Sequence, residues 1–208
     1  NSIRAQTLKD IEILVVDDAS TDDTPRILAQ LARQDPRIHI ETLAENMGVA
    51  VAGNRGVDLA RAPYIARMDS DDISLPDRLT RQKSYLDAHR DVLLVASSIE
   101  QIDADGAHLR TSHRARDAFA CRWMARFFYP VTHPSTMFRK MAPDGTPLRY
   151  SDEMRTTLDY EFCGRLLQQG EAVSTADVLL QYRIHGGSAR FGCRDIYRGR
   201  ILPRPVDR

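Results

Sequence analysis

At 208 residues and 42% hydrophobic, with 29 acidic and 29 basic side chains, the chain is sized for one hydrophobic core and carries no formal net charge, which argues against a nucleic-acid-binding surface spread over the whole protein. Its cysteines, Cys121, Cys163 and Cys193, are odd in number and far apart, which argues against a disulfide framework or structural zinc site and fits a reducing compartment better. With no stretch near the roughly 20 apolar residues of a membrane span and no signal peptide, a cytoplasmic protein is expected.

The chain opens at Asn1 without an initiator Met, as a fragment would. Ile11 to Val16 is β-branched and nearly all apolar, the pattern of a strand buried on both faces of a parallel sheet. Asp17 and Asp18 stand at its carboxyl end, placed either to accept hydrogen bonds from a ligand or to help cap the next helix. That helix is predicted from Thr24 as N-cap and Pro25 as first helical residue to about Gln34, with Ile27, Leu28 and Leu31 as its apolar stripe. Arg37 to Leu43 alternates like a half-exposed strand with His39 outward. Asn46 to Ala62 reads as a loop entering a helix, where Gly48, Gly53 and Gly56 let the backbone approach a neighbour closely. It is neither a P-loop nor a dinucleotide fingerprint.

Pro63 to Ala66 is a short apolar run that predicts a buried strand, and it delivers Asp69, Asp71 and Asp72 together at its end. Like charges so crowded need a cation or a proton. The spacing suggests a divalent metal site at the carboxyl end of a strand, where open α/β sheets bind ligands, and the plain alternative is a solvated acidic loop. Beyond it, Pro76 to about Arg90 is an amphipathic helix, Val92 to Ala96 a buried strand, and Asp103 to Gly106 a turn in a β-excursion. Strand–helix alternation to this point implies a parallel sheet with right-handed crossovers. A helix from Asp117 to Tyr129 carries Phe119, Trp123, Phe127 and Phe128, expected in the core or a subunit contact. His133 to Arg139 reads as a short strand, Met141 to Arg149 as a loop, and Leu158 to Gly170 as a helix ended by its glycine, with Asp159 in the first turn. Val178 to Ser188 is a last strand ending at a histidine beside two glycines. From Arg190 a tail holds six arginines against Asp195 and Asp207.

In order and spacing these segments resemble the inverting family-two glycosyltransferases of the GT-A fold, from about residue 2 to 189. The resemblance rests on Ser2-Ile3 with Gln6-Thr7, Val15 to Asp22, Asn46-x-Gly48, Asn54-x-Gly56, Asp69-Ser70-Asp71-Asp72 with Leu75-Pro76-Asp77-Arg78-Leu79, His133-Pro134-Ser135, Asp159-Tyr160-Glu161 and Tyr182-Arg183-x-His185. It implies a Rossmann-like α/β three-layer sandwich with a mainly parallel central sheet. Residues 1–110 would be its nucleotide-sugar-binding half, 111–189 the acceptor-binding and catalytic half of the same domain, and 190–208 a basic tail.

The same resemblance implies a sugar moved from a nucleotide-diphosphate donor, a UDP-sugar, to an acceptor hydroxyl with inversion, in cell-surface glycan or polysaccharide synthesis. Asp17, Asp18, Asn46, Asn54, Asp69 and Ser70 would bind the nucleotide. Asp71 or Asp72, with His185, would hold Mn²⁺ or Mg²⁺. Asp159 would be the catalytic base, and His133 and Arg183 would lie near the acceptor or diphosphate. The implied partners are the donor and a glycan or lipid-linked acceptor, with no nucleic acid, and the arginine tail is a candidate contact with the inner face of the membrane. Family members begin with one further strand: a complete chain starting at Asn1 would lack a central strand and part of the uracil pocket, whereas a chain that has lost its first residues leaves the transferase reading unchanged. Two other readings stand beside it: a sugar-nucleotide-binding protein without catalysis, and a phosphoacceptor receiver domain with Asp69 as acceptor, which would need a lysine at a later strand end.

Overall fold

The apolar run near the N-terminus becomes strand β1, Ile13–Asp17, and the alternating run becomes β2, Ile38–Thr42, in a computed structural model that describes residues 1–114, 116–151 and 157–185. The strands pair in parallel, Ile13 opposite Ile38 through Asp17 opposite Thr42, with helix α1, Thr24–Gln34, between them in sequence. The helix begins one residue earlier than expected. Asp23 occupies the cap position, Thr24 is helical, and the Thr24 N–H is held by Asp22 Oδ1 at 2.9 Å. His39 is exposed, as the alternation predicts.

β1 is not buried on both faces: Ile13, Leu14, Val15 and Val16 are only half-buried. Among the described residues β1 bonds to β2 alone, in a two-stranded sheet separate from the rest. Helix α2, Val49–Leu59, comes close to it at Gly56, where an added Cβ would sit 3.7 Å from Val16 Cγ2, and a hollow of about 260 Å³ remains against Leu14, Val16 and Leu59.

The second sheet contains β3 (Tyr64–Ala66), β4 (Ile73–Ser74), β5 (Val92–Ile102), β6 (His108–Ser112), β7 (Met137–Arg139) and β8 (Glu171–Arg183), in the order β3-β7-β5-β8-β4 with β6 also on β5. The α/β fold holds, but strand direction is mixed rather than mainly parallel. β5 and β8 run parallel, whereas β3–β7, β5–β7, β5–β6 and β4–β8 are antiparallel. The tight turn after Ile102 can only return an antiparallel neighbour. Among the described residues β3 pairs with β7 alone and is half-buried or exposed, so the expected buried strand is an edge strand there. The segment opened by His133 is a 3₁₀ turn, His133–Ser135, before β7 begins.

β5 is the centre of the packing. Leu94, Val95 and Ala96 are fully buried, and burying a leucine so completely contributes about 1.5–3 kcal/mol. One core cluster joins Leu93 and Leu94 to Phe138 and to Phe162 and Leu166 of helix α3, Leu158–Leu166. The other joins Val92 and Val95 to Leu79 and Leu86 of helix α4, Arg78–Ala88, on the opposite face. Helices on both faces make the three layers expected. The first cluster runs from Ala50 to Ala172 and so draws on both proposed halves of the domain. Gly170 follows that helix for a packing reason: a Cβ there would lie 2.5 Å from Leu93 Cγ and 3.0 Å from the Asp91 carbonyl.

Helix α5, Ala118–Met124, is shorter than predicted and capped by Asp117, whose Oδ1 accepts the Ala120 N–H at 2.7 Å. Its aromatic residues are not core: Phe119, Trp123, Phe127 and Phe128 are exposed. Lys83 lies within helix α4 and pairs with Asp87, and Lys140, directly after β7, donates to the Ala60 carbonyl. The arginine tail and Cys193 lie outside the described residues.

Candidate active site

β3 ends at Ala66, and the acidic loop Arg67–Asp72 carries the chain across to β4, which pairs with β8 through Ile73 and Gln181. This pairing places the end of β8 beside the loop. Asp72 Oδ1 accepts the Arg183 N–H at 2.8 Å, Arg183 Nε donates to the Asp71 carbonyl at 2.9 Å, and His185 Nε2 lies 2.9 Å from Asp71 Oδ2. The Arg183 guanidinium also reaches the carbonyls of Asp103 and Ala104, at 2.9 and 2.7 Å. Arg183, expected at the acceptor or diphosphate, therefore spends these donors stitching the loop to the β5–β6 turn.

The neighbouring carboxylates have different surroundings. Asp71 is exposed, while Asp72 is 6% exposed and its Oδ2 has no hydrogen-bond partner among the described residues. Burial, with added repulsion from Asp69 and Asp71, pushes the Asp72 carboxyl up to about 7 against the pull of the Arg183 N–H. Behind the loop, Arg78 is fully buried, and burial lowers its guanidinium to about 10. Its Nη2 donates to the Arg67 and Thr136 carbonyls at 2.6 and 3.2 Å, and its Nε to Gln82 Oε1 at 3.1 Å. Gln82 Nε2 in turn donates to the Ser135 carbonyl at 2.6 Å. Arg78 and Gln82 thus fasten the acidic loop to the His133–Ser135 turn.

Asp69 pairs with Arg67, Nη2 to Oδ1 at 2.7 Å. The Tyr150 hydroxyl, near the Arg67 charge, lies 2.8 Å from His133 Nε2. Burial, then the Arg67 charge, lowers His133 to about 3, so it is neutral at ordinary pH. Asp159, in the first turn of α3, accepts the Tyr160 N–H at 2.9 Å. Its carboxyl is raised, mainly by burial and further by the Asp69 charge, so these two carboxylates share one electrostatic neighbourhood.

At the end of β1 a second group forms. Asp17 is buried, with Oδ1 on the Ser20 N–H at 3.1 Å and Oδ2 without a hydrogen-bond partner among the described residues. Asp18 accepts the Met47 and Gly48 N–H groups at 2.7 and 2.8 Å, and its carbonyl accepts Asn46 Nδ2 at 3.3 Å. Asn54, expected at the nucleotide, is 2% exposed and braces the Tyr150 backbone instead. Ser70 sits exposed at the apex of the acidic loop. Helix α2, which follows the 46–48 loop, carries Asn54 and so connects the group at the end of β1 to Tyr150. Sequence reasoning assigned no role to Tyr150, Gln82 or Arg67. Only Arg67, a cation directly before three carboxylates, carried a visible signal.

Among the described residues no three His, Cys, Asp or Glu side chains are grouped to hold an ion alone. Asp71 with His185 is a two-residue set, which fits a Mg²⁺ or Mn²⁺ ion that takes one or two protein ligands and completes its shell with substrate phosphates and water.

A family model described as glycosyl transferase family 2 matches residues 1–146. Among curated proteins, the chain is 30% identical over 205 residues to the uncharacterized glycosyltransferase MJ1057 of Methanocaldococcus jannaschii, covering 96% of this chain and 67% of that protein. It is 38% identical over 169 residues to the succinoglycan biosynthesis protein ExoO of Rhizobium meliloti, covering 76% of this chain and 48% of ExoO. Its fold resembles S. aureus TarS in complex with UDP-GlcNAc at a TM-score of 0.72 and 19% identity, over 90% of this chain and 54% of that one. The mannosyltransferase PcManGT from Pyrobaculum calidifontis, in complex with GDP-Man and Mn²⁺, is similar at a TM-score of 0.67 and 18% identity, over 90% of this chain and 52% of that one.

Proposed function

The chain belongs to glycosyl transferase family 2, and from that premise we propose that it moves a sugar from a UDP-sugar to an acceptor hydroxyl with inversion, assisted by Mn²⁺ or Mg²⁺, in building a cell-surface polysaccharide. The observation that carries this reading is the divided set of carboxylates. Asp71, exposed beside His185, suits binding, whereas Asp159, raised by burial, suits proton abstraction. The relative in succinoglycan synthesis supports a polysaccharide product, and the TarS and PcManGT complexes support a nucleotide-sugar donor and a metal.

When bound, the divalent ion supplies positive charge to the leaving diphosphate. Asp71 and His185 would hold it, while Asp72 shapes the loop from behind through the Arg183 N–H. Asp69, oriented by Arg67, faces the donor's ribose or sugar. Asp17, Asp18 and Asn46 form the nucleotide side, with Asp18 setting the 46–48 loop. Neutral His133, held by Tyr150, offers a hydrogen bond at the acceptor or diphosphate rather than a charge. In a single displacement Asp159 takes the acceptor hydroxyl's proton as that oxygen bonds to the anomeric carbon, and the bond from that carbon to the diphosphate breaks. The products are the inverted glycoside and the nucleoside diphosphate.

Calorimetry tests the reading directly. UDP is expected to bind in the presence of Mn²⁺ and to lose most of that binding in Asp71→Ala. Binding of GDP in place of UDP would reassign the base, and UDP binding indifferent to both Mn²⁺ and Asp71→Ala would refute the metal-bridged donor site.

A further inference from the structure

The exposed aromatic residues gather on one stretch. Phe119 is 78% exposed, Phe127 61%, Trp123 54% and Phe128 41%. Phe119, Trp123 and Phe127 recur every four residues along α5 and its extension, in which the Arg126 N–H bonds to the Trp123 carbonyl and those of Phe127 and Phe128 to the Met124 carbonyl. They therefore share a face. The Trp123 and Phe127 rings touch, with centroids 5.1 Å apart. Exposed Arg122 and Arg126 lie three residues after Phe119 and Trp123, on the edge of the same stripe. The Arg122 guanidinium is held by the carbonyls of Leu167 and Gly170 at 2.6 and 3.1 Å.

Charge decides what such a face fits. After the capping Asp117, residues 118–128 contain no Asp or Glu but do contain Arg122 and Arg126, in a chain whose net charge is zero. Large aromatic side chains flanked by arginines, with no acid among them, match the boundary between anionic headgroups and acyl chains. Two copies meeting through this face would set arginine against arginine with no carboxylate between them. We infer that the Phe119–Phe128 stripe docks the protein peripherally on an anionic lipid bilayer. The docking does not depend on the transferase reading. Its placement does bear on that reading, because Tyr160 Oη donates to the Ala125 carbonyl at 2.7 Å and so ties the stripe to the first turn of α3, where Asp159 lies.

Trp123 is the chain's single tryptophan, so its emission reports the stripe alone. The full chain is titrated with phosphatidylcholine vesicles, with and without phosphatidylglycerol, and with vesicles of brominated lipid. Anionic vesicles are expected to shift the emission to the blue, brominated chains to quench it, and high salt to weaken binding. Phe119→Ser with Phe127→Ser is expected to weaken vesicle binding by about tenfold or more, and Arg126→Glu to weaken binding to anionic vesicles selectively. Both variants change exposed side chains, and circular dichroism checks their fold. The inference is overturned if the protein sediments with vesicles while Trp123 emission stays unchanged. It is equally overturned by identical shifts on neutral and anionic vesicles, or by a lipid-free, concentration-dependent dimer that gives the same blue shift.

Discussion

Asn54 and Tyr150 are joined twice: Asn54 Nδ2 donates to the Tyr150 carbonyl at 2.9 Å, and the Tyr150 N–H donates to Asn54 Oδ1 at 2.8 Å. An amide satisfies both ends of a peptide in this way, and no other side chain of its size offers the same donor and acceptor. The brace fixes the residue whose hydroxyl meets His133 and whose ring lies against Gly53, where an added Cβ would come within 3.0 Å. Asn54→Ala is therefore expected to destabilise the protein by about 2–3 kcal/mol, because two buried backbone groups lose their partners. Asn54→Asp is expected to do the same, as it leaves the Tyr150 carbonyl facing a carboxylate. Denaturant melts read both, and a loss under about 0.5 kcal/mol for Asn54→Ala would mean water replaces the amide.

Asp159→Asn is expected to retain UDP and Mn²⁺ binding and to slow transfer by about 10² to 10⁴-fold, the usual worth of a positioned base. Product formation by the variant at close to the wild-type rate would move the base elsewhere.

Asp72 and His133 give opposing pH dependences. The folded Asp72 carboxyl sits at about 7, above its ordinary value of 3.8. The native state therefore binds a proton the unfolded chain has lost, and this group lowers stability as pH rises from about 4 to about 7. The folded His133 sits at about 3 against 6.5. Its contribution is complete above about 6.5 and is lost as pH falls towards 3. The two trends oppose each other over the same window. Asp72→Asn, which keeps an oxygen for the Arg183 N–H, is expected to expose the His133 slope, with melting temperature falling on acidification from pH 7 to 4. His133→Gln is expected to expose the opposite slope. Identical pH profiles for both variants and wild type would refute this assignment.

Gly170→Ala is expected to cost about 1–3 kcal/mol, since the new methyl meets Leu93 and the Asp91 backbone with no room to turn. For a chain of this size that lowers the melting temperature by about 2–4 °C per kcal/mol. Gly145→Ala is the contrasting case. Nothing lies within 4 Å there, so its cost comes only from the positive φ of 86°.

Arg78→Met is expected to loosen the acidic loop rather than only the core, because Arg78 holds the Arg67 and Thr136 carbonyls together. Donor affinity in the presence of Mn²⁺ should weaken by about tenfold, while the apolar stem still fills its place. Unchanged affinity in a folded variant would confine Arg78 to a packing role.

Much was legible before any tertiary contact was known. The spacing of Ile27, Leu28 and Leu31 behind Thr24-Pro25 places α1, and the alternation about His39 places β2 with that ring outward, because helix period, strand period and cap chemistry act over a few residues. The motifs Asp69-Ser70-Asp71-Asp72 and Tyr182-Arg183-x-His185 also marked segments that meet at the acidic loop. What local pattern left open is where each side chain points once distant strands meet. Asp71 and Asp72 are adjacent and chemically identical in sequence, and the pairing of β4 with β8 turns one to solvent and buries the other against the Arg183 N–H. Asn54 reads as a ligand contact until Tyr150 arrives from a segment 96 residues later in the chain. The aromatic spacing from Phe119 to Phe127 is the same for a core helix as for an exposed one, and only the packing of α5 leaves that face uncovered. Periodicity identifies a face, and long-range contacts decide what, if anything, covers it.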